Sequence, residues 1–310
     1  MTAAPAIKTP AARKAAALAS ARTLLGHVLT SAKRQLKNQL ADPASPSLAS
    51  QLDDPATLKK MWIIAHHNTE RERISRIYSA AIKRALMAVH TEALQRLAGS
   101  VGAKVKNTTP VLADFPFNLG NFSKMFFAEL RAAGTEALAQ SGSSRAAELG
   151  LDEFVTSRGI AKKFLIEREN KLADVPQEIY DTLKAQLEAG SNAGETEKQL
   201  AARVARTLGD LEAGRAETIA RTETASAYGT ASQDAIEQAG FTHKSWLTAD
   251  DGKVRTSHEM CQDEGAIPLA DTFSNGLSFP GDPDGDADEV INCRCVLQAE
   301  DAPADEEAGK

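Results

Sequence analysis

Aromatic residues make up only 5% of this 310-residue chain, and cysteine occurs three times. So few rings argue against an aromatic-rich β-sandwich, and abundant alanine favours helices packed through small and aliphatic side chains. Three cysteines, all between 261 and 295, are too few for a disulfide framework and fit a reducing compartment. No apolar run approaches the roughly 18 residues of a membrane span, so no membrane association is expected. Also missing are Gly-x-Ser-x-Gly, a phosphate-binding glycine loop and His-Glu-x-x-His. Without them the commonest hydrolase and nucleotide-binding signatures have no support.

Charge is unevenly spread. The net value of -6 conceals a start, residues 1–41, with no acid and seven bases: Lys8, Arg13, Lys14, Arg22, Lys33, Arg34 and Lys37. Residues 246–310 carry sixteen acids against four bases, a net of -12, which leaves the first 245 residues at +6. A basic arm binds phosphate or an acidic partner, whereas an acidic region repels nucleic acid. Any contact with DNA or a protein partner through charge is therefore expected from Arg13, Lys14, Arg22, Lys33, Arg34 and Lys37. The alanine- and serine-rich start also has the composition of a transit peptide, but Arg13, Lys14 and Arg22 interrupt the apolar centre that a secretory signal needs.

Helical periodicity dominates the first two-thirds. Leu18, Leu25, Leu29, Leu36 and Leu40 share one helix face. Asp54-Pro55 opens a second, longer pattern through Met61, Trp62, Ile74, Ile77, Tyr78, Met87 and Leu94, about 40 residues that need a partner or a neighbouring helix. Residues 99–120 read as a loop. Helices are predicted at 122–140, 154–170, 176–187, 196–208 and 215–239, the last stopped by Gly240. Residues 243–247 and 290–297 read as strands, separated by a stretch rich in Asp, Gly and Pro. The expected fold class is α+β: a mainly helical N-terminal two-thirds with long helices, then a small loop-rich α+β domain. The divisions are a basic amphipathic helix or arm (1–41), a helical region (54–188), a C-terminal domain (190–298) and an acidic disordered tail (299–310).

One ordered set of short motifs stands out. Arg221-Thr222-Glu223 on a helix is followed by Trp246 to Asp251, then Arg255-Thr256-Ser257-His258. Phe279-Pro280-Gly281-Asp282-Pro283 and Asn292-Cys293-Arg294-Cys295 complete it. In this order the set resembles the phage Mu F-like domain of minor head proteins, or head morphogenesis proteins, over about residues 190–298. The resemblance implies a non-enzymatic virion protein of a tailed bacteriophage or prophage, acting in capsid assembly in the head interior or at the portal vertex. During assembly it would be found in the host cytoplasm. Its implied partners are the portal protein and the major capsid or scaffolding protein, with double-stranded DNA reached through the basic arm. Arg221, Thr222, Glu223, Trp246, Asp251, Arg255, His258, Pro280, Asp282, Asn292 and Arg294 are the motif residues, with structural roles. Arg221 is expected to clamp its helix to the β domain, and Arg221 and Glu223, two apart, should not pair with each other.

His258, Cys261, Cys293 and Cys295 form the one set with metal chemistry. His-x-x-Cys places two ligands a turn apart, and Cys-x-Cys on a strand places two thiols on one face, a donor set able to close a tetrahedral zinc. The other reading makes the cysteines small buried apolar residues and His258 a hydrogen-bonded turn histidine. Asp282, Asp284, Asp286 and Asp288 alternate, but an EF-hand would need glycine at Ala287 and glutamate at Cys293. Two functions of other classes remain open: a zinc-dependent hydrolase or toxin-like effector using His258 with Asp263 or Glu264, and a stand-alone DNA-binding protein.

Overall fold

The computed structural model describes residues 55–102 and 116–302. The basic arm with its candidate contact residues, and positions 303–310 of the tail, lie outside the described residues, as does the side chain of Trp62. Six helices come first: α1 (Pro55–Gly102), α2 (Leu119–Glu148), α3 (Arg158–Lys171), α4 (Val175–Asn192), α5 (Glu197–Leu211) and α6 (Glu217–Gln238). A small α+β part follows, with β1 (His243–Leu247), α7 (Thr256–Asp263), β2 (Ile267–Pro268), α8 (Ala287–Val290) and β3 (Val296–Glu300). This is the α+β class expected. Among the described residues no helix is long and apolar enough to cross a membrane.

Local chemistry sets the helix ends. The Asn118 side chain accepts the Asn121 N–H at 2.9 Å and starts α2. Ser157 does the same for α3, Pro176 occupies the first turn of α4, and Gln199 Oε1 accepts the Thr196 N–H at 2.8 Å to open α5. Gly240, at φ 77°, closes α6, with Phe241 N–H reaching back to Ile236 O at 3.2 Å. Helices α2 and α4 run past their expected ends, to Glu148 and Asn192, and two further boundaries depart from the periodicity. Helix α1 runs 48 residues and passes Gly99, because a single helical glycine costs only about 1 kcal/mol and buried Leu97 anchors that turn. The predicted break between 208 and 215 is a π-helical turn, Glu212–Ala216, that joins α5 to α6 without interruption.

The long helix finds its neighbours within the chain. Ile74, Tyr78, Ala81, Ile82, Ala85, Leu86, Val89 and Ala93 recur at three- and four-residue spacing and are buried. Through them α1 packs against α2, α5 and α6. Helix α6 is buried almost all round from Ile219 to Ile236, which its run of Ala, Gly, Ser and Thr permits. Its first half belongs to the helical core, with Ile219, Ala220, Ala227 and Ala231, while Ile236 enters a second core built by Trp246, Cys261, Phe273, Leu277, Phe279, Val290, Cys293, Cys295 and Leu297.

The sheet is antiparallel in the order β2-β1-β3, with Trp246 opposite Leu297 and His243 opposite Glu300. The second strand was expected over 290–297 and the tail from 299. Instead Val290 ends a short helix, Asn292 turns the chain at φ 57°, and pairing begins at Val296 and continues through Glu300. Cys293 and Cys295 thus stand in the loop before the strand. The motif Arg255 to His258 is the entry to helix α7, which puts His258 in a helix and not in a turn.

Candidate functional site

The motif residues converge on the loop 291–295. Arg255, just before α7, donates from Nη2 to Ile291 O at 2.7 Å. Asn292 takes the left-handed conformation that asparagine tolerates, and its N–H donates to Thr222 Oγ1 at 3.2 Å, tying the loop to α6. Arg294 donates to Asp251 Oδ1 at 2.7 Å. Asp282 accepts the N–H groups of Ser278 at 2.8 Å and Asp284 at 3.0 Å, folding the Pro-Gly-Asp-Pro loop on itself. That loop lies so close to α6 that a Cβ on Gly229 would come within 2.3 Å of Pro280 O.

The arginine and glutamate of the helix motif separate, as their spacing requires. Glu223 is buried and receives a forked pair from Arg168 of α3, Nη2 to Oε1 at 2.6 Å and Nε to Oε2 at 3.0 Å. Arg221 is not the clamp expected of it. It points to solvent and pairs with Glu217 one turn back, so Thr222 and Glu223 do the fastening.

Within this frame His258, Cys293 and Cys295 come together, all buried. His258 sits in the first turn of α7 with its ring edge against Trp246, centroids 4.9 Å apart. Its Nε2 donates to Glu289 Oε2 at 3.0 Å, which leaves Nδ1 as a lone pair facing Cys295 Sγ at 3.3 Å and Cys293 Sγ at 3.8 Å. Glu289 is held in turn by Ser257 Oγ at 3.0 Å and Asn275 Nδ2 at 3.3 Å. The two thiols share a hydrogen bond. It draws Cys293 well below the usual thiol range, aided by His258 and the Arg71 cation, and pushes Cys295 up. Cys261 falls outside this group; it packs in the core beside Ser274, Sγ to Oγ 3.8 Å. The carboxylate that meets His258 is Glu289, not Asp263 or Glu264, and Glu264 accepts the Ser274 N–H at 2.9 Å. Nor do the alternating aspartates gather: Asp284 pairs with Lys163 at 2.7 Å.

Residues 177–298 match the family model described as Phage Mu protein F like protein. Over that stretch the chain is similar to the phage Mu F-like family. No curated protein and no solved structure matches it. The Mu F-like match begins inside α4, so it takes in helices that line the helical core as well as the sheet.

One polar cluster beside the Mu F-like motifs is not anticipated from the sequence. His67 and Arg71 of α1, Arg145 and Glu148 of α2 and Tyr228 of α6 meet where both cores join β3. Arg145 pairs with Glu148 and donates to Leu297 O at 3.1 Å. Burial, then Arg145, holds His67 well below its usual range and hence neutral. Its Nε2 faces Arg145 Nη1 at 3.3 Å, and its Nδ1 bonds the Tyr228 hydroxyl. A signal existed: positions 63, 67, 71, 74 and 78 are one helical stripe, so His67 and Arg71 fall at core positions.

Proposed function

We propose that this phage Mu F-like protein is a minor head protein of a tailed bacteriophage or prophage that acts in capsid assembly at or near the portal. The Mu F-like match over residues 177–298 supports a head morphogenesis protein, a class whose work is structural. The observation that supports the finer reading is where the motif residues go. Thr222, Glu223, Asp251, Arg255, Asp282, Asn292 and Arg294 are each spent on a contact that fastens one part of the chain to another. Residues used this way fit a docking body, and among the described residues these motif side chains do not converge on a substrate pocket. The portal and the capsid or scaffolding proteins are the partners this role implies, with the basic arm offered to the portal or to packaged DNA. A tagged chain expressed in phage-producing cells should sediment with procapsids and co-purify with portal protein. Recovery solely as a free soluble protein would overturn the reading.

A further inference from the structure

His258, Cys293 and Cys295 are more than three buried side chains in contact. Their donor atoms all lie within 4.8 Å of one another, and each comes from a different backbone setting: the first turn of α7 and two positions of the loop before β3. With zinc-sulfur bonds near 2.3 Å and zinc-nitrogen bonds near 2.0–2.1 Å, a tetrahedral zinc holds its nitrogen and sulfur ligands about 3.6 Å apart. The two Nδ1 to Sγ distances, 3.3 and 3.8 Å, bracket that value. The histidine is also set in the right tautomer. Glu289 accepts the hydrogen bond of Nε2–H, as a carboxylate behind a metal-bound histidine does, and Ser257 and Asn275 hold Glu289 in place.

A second observation concerns donors without acceptors. Arg71 is buried, and its Nε and Nη1 have no hydrogen-bond partner, while its charge acts on both thiols. Trp246 Nε1 is buried with the Cys295 sulfur as the one acceptor it faces among the described residues. Buried donors left unmade are costly, and a neutral thiol is a poor acceptor. Two thiolates would give the Trp246 donor a charged acceptor and set negative charge against the Arg71 cation, which also lies over the Tyr228 ring at 5.5 Å. Two thiolates also cancel the charge of one divalent ion, so the whole unit can stay in a dry core.

We propose that His258 Nδ1, Cys293 Sγ and Cys295 Sγ bind one zinc ion, with Cys261 outside the ligand set and the fourth position left to a ligand the chain does not supply. The ion ties α7 to the loop entering β3, in a core whose apolar content is small. Glu289 acts as a positioning residue through His258.

Metal analysis of the purified full chain, after zinc loading and extensive dialysis, tests this. About one zinc per chain is expected. His258→Ala, Cys293→Ser and Cys295→Ser should each lower the content at least tenfold, and Cys261→Ser should keep it. Cobalt loading should give a thiolate charge-transfer band that Cys261→Ser retains. Circular dichroism checks that each variant keeps its helices. If the ligand variants unfold, chelator competition on the wild type, Cys261→Ser and Glu289→Gln decides. Glu289→Gln should bind zinc about 10–100-fold more weakly, as loss of the partner behind a metal ligand does. Less than one zinc per ten wild-type chains overturns the site, as would an intact Cys293–Cys295 disulfide in place of metal. Loss of zinc in Cys261→Ser overturns the three-ligand assignment, and unchanged affinity in Glu289→Gln overturns the role given to Glu289.

Discussion

Arg168 and Glu223 make the strongest case that the helix motif is structural. Both side chains are at least nine-tenths removed from solvent and meet in a fork, a geometry that repays desolvation only while both partners are present. Both carboxylate oxygens of Glu223 are engaged by Arg168, and Tyr78, buried beside the pair, has its hydroxyl pushed well up by burial and by the Glu223 charge. Arg168→Met should therefore destabilise the protein by about 3–5 kcal/mol, because it strands a buried carboxylate. The double change Arg168→Met with Glu223→Leu should cost less than Arg168→Met alone. Urea unfolding of the three proteins measures both, and a double variant weaker than the single would show that the pair does more than satisfy itself. Sequence spacing correctly separates Arg221 from Glu223. It does not say which of the two turns inward, because α6 is buried nearly all round and carries no apolar face to mark the inside.

At the scale of elements, α6 is the shared part, and its small residues explain the glycine-rich loop downstream. Gly281 has φ 80°, and a Cβ there would lie 2.7 Å from the carbonyl carbon of Ala225. Both the conformation and the space require glycine. Gly281→Ala should lower stability by about 2 kcal/mol or more, through strain at a positive φ and separation of loop from helix. A thermal melt checks this, and an unchanged midpoint would mean that the loop does not rest on α6. Long periodic stretches were legible in the sequence: α1, α4, α5 and β1 stand where spacing puts them. Elements that depend on tertiary contacts were not. β2 is two residues paired to Lys244 and His243, too short for any alternation. The shift of β3 to Val296 follows from Asn292, whose left-handed turn leaves Cys293 and Cys295 in a loop although their neighbours are strand-formers. The candidate site was legible in its residue types, but Cys261 drops out because α7 turns its side chain into the core beside Ser274. Glu289 was invisible, since nothing in the sequence aligns a lone glutamate with a histidine 31 positions earlier.

For the whole molecule, the opposed charges of its ends set the remaining expectation. The C-terminal part, from Trp246 on, carries a net of -12, and a phosphate backbone would be repelled there. Any affinity for duplex DNA is expected from the seven bases of residues 1–41, which no acid offsets. Each phosphate neutralised releases counterions and contributes about -0.9 to the slope of log affinity against log salt, so seven contacts would set a limit near -6. Binding by the full chain should then fall steeply between low and moderate salt and show no sequence preference. Deleting residues 1–40 removes all seven bases and none of the described core residues, so the truncated chain should keep its helical signal and lose DNA binding. Fluorescence anisotropy with a labelled duplex, at several salt concentrations, reads both effects. Equal binding by the truncated protein would move the contact elsewhere on the molecule, and retained DNA affinity with no salt dependence would rule out a phosphate-directed arm.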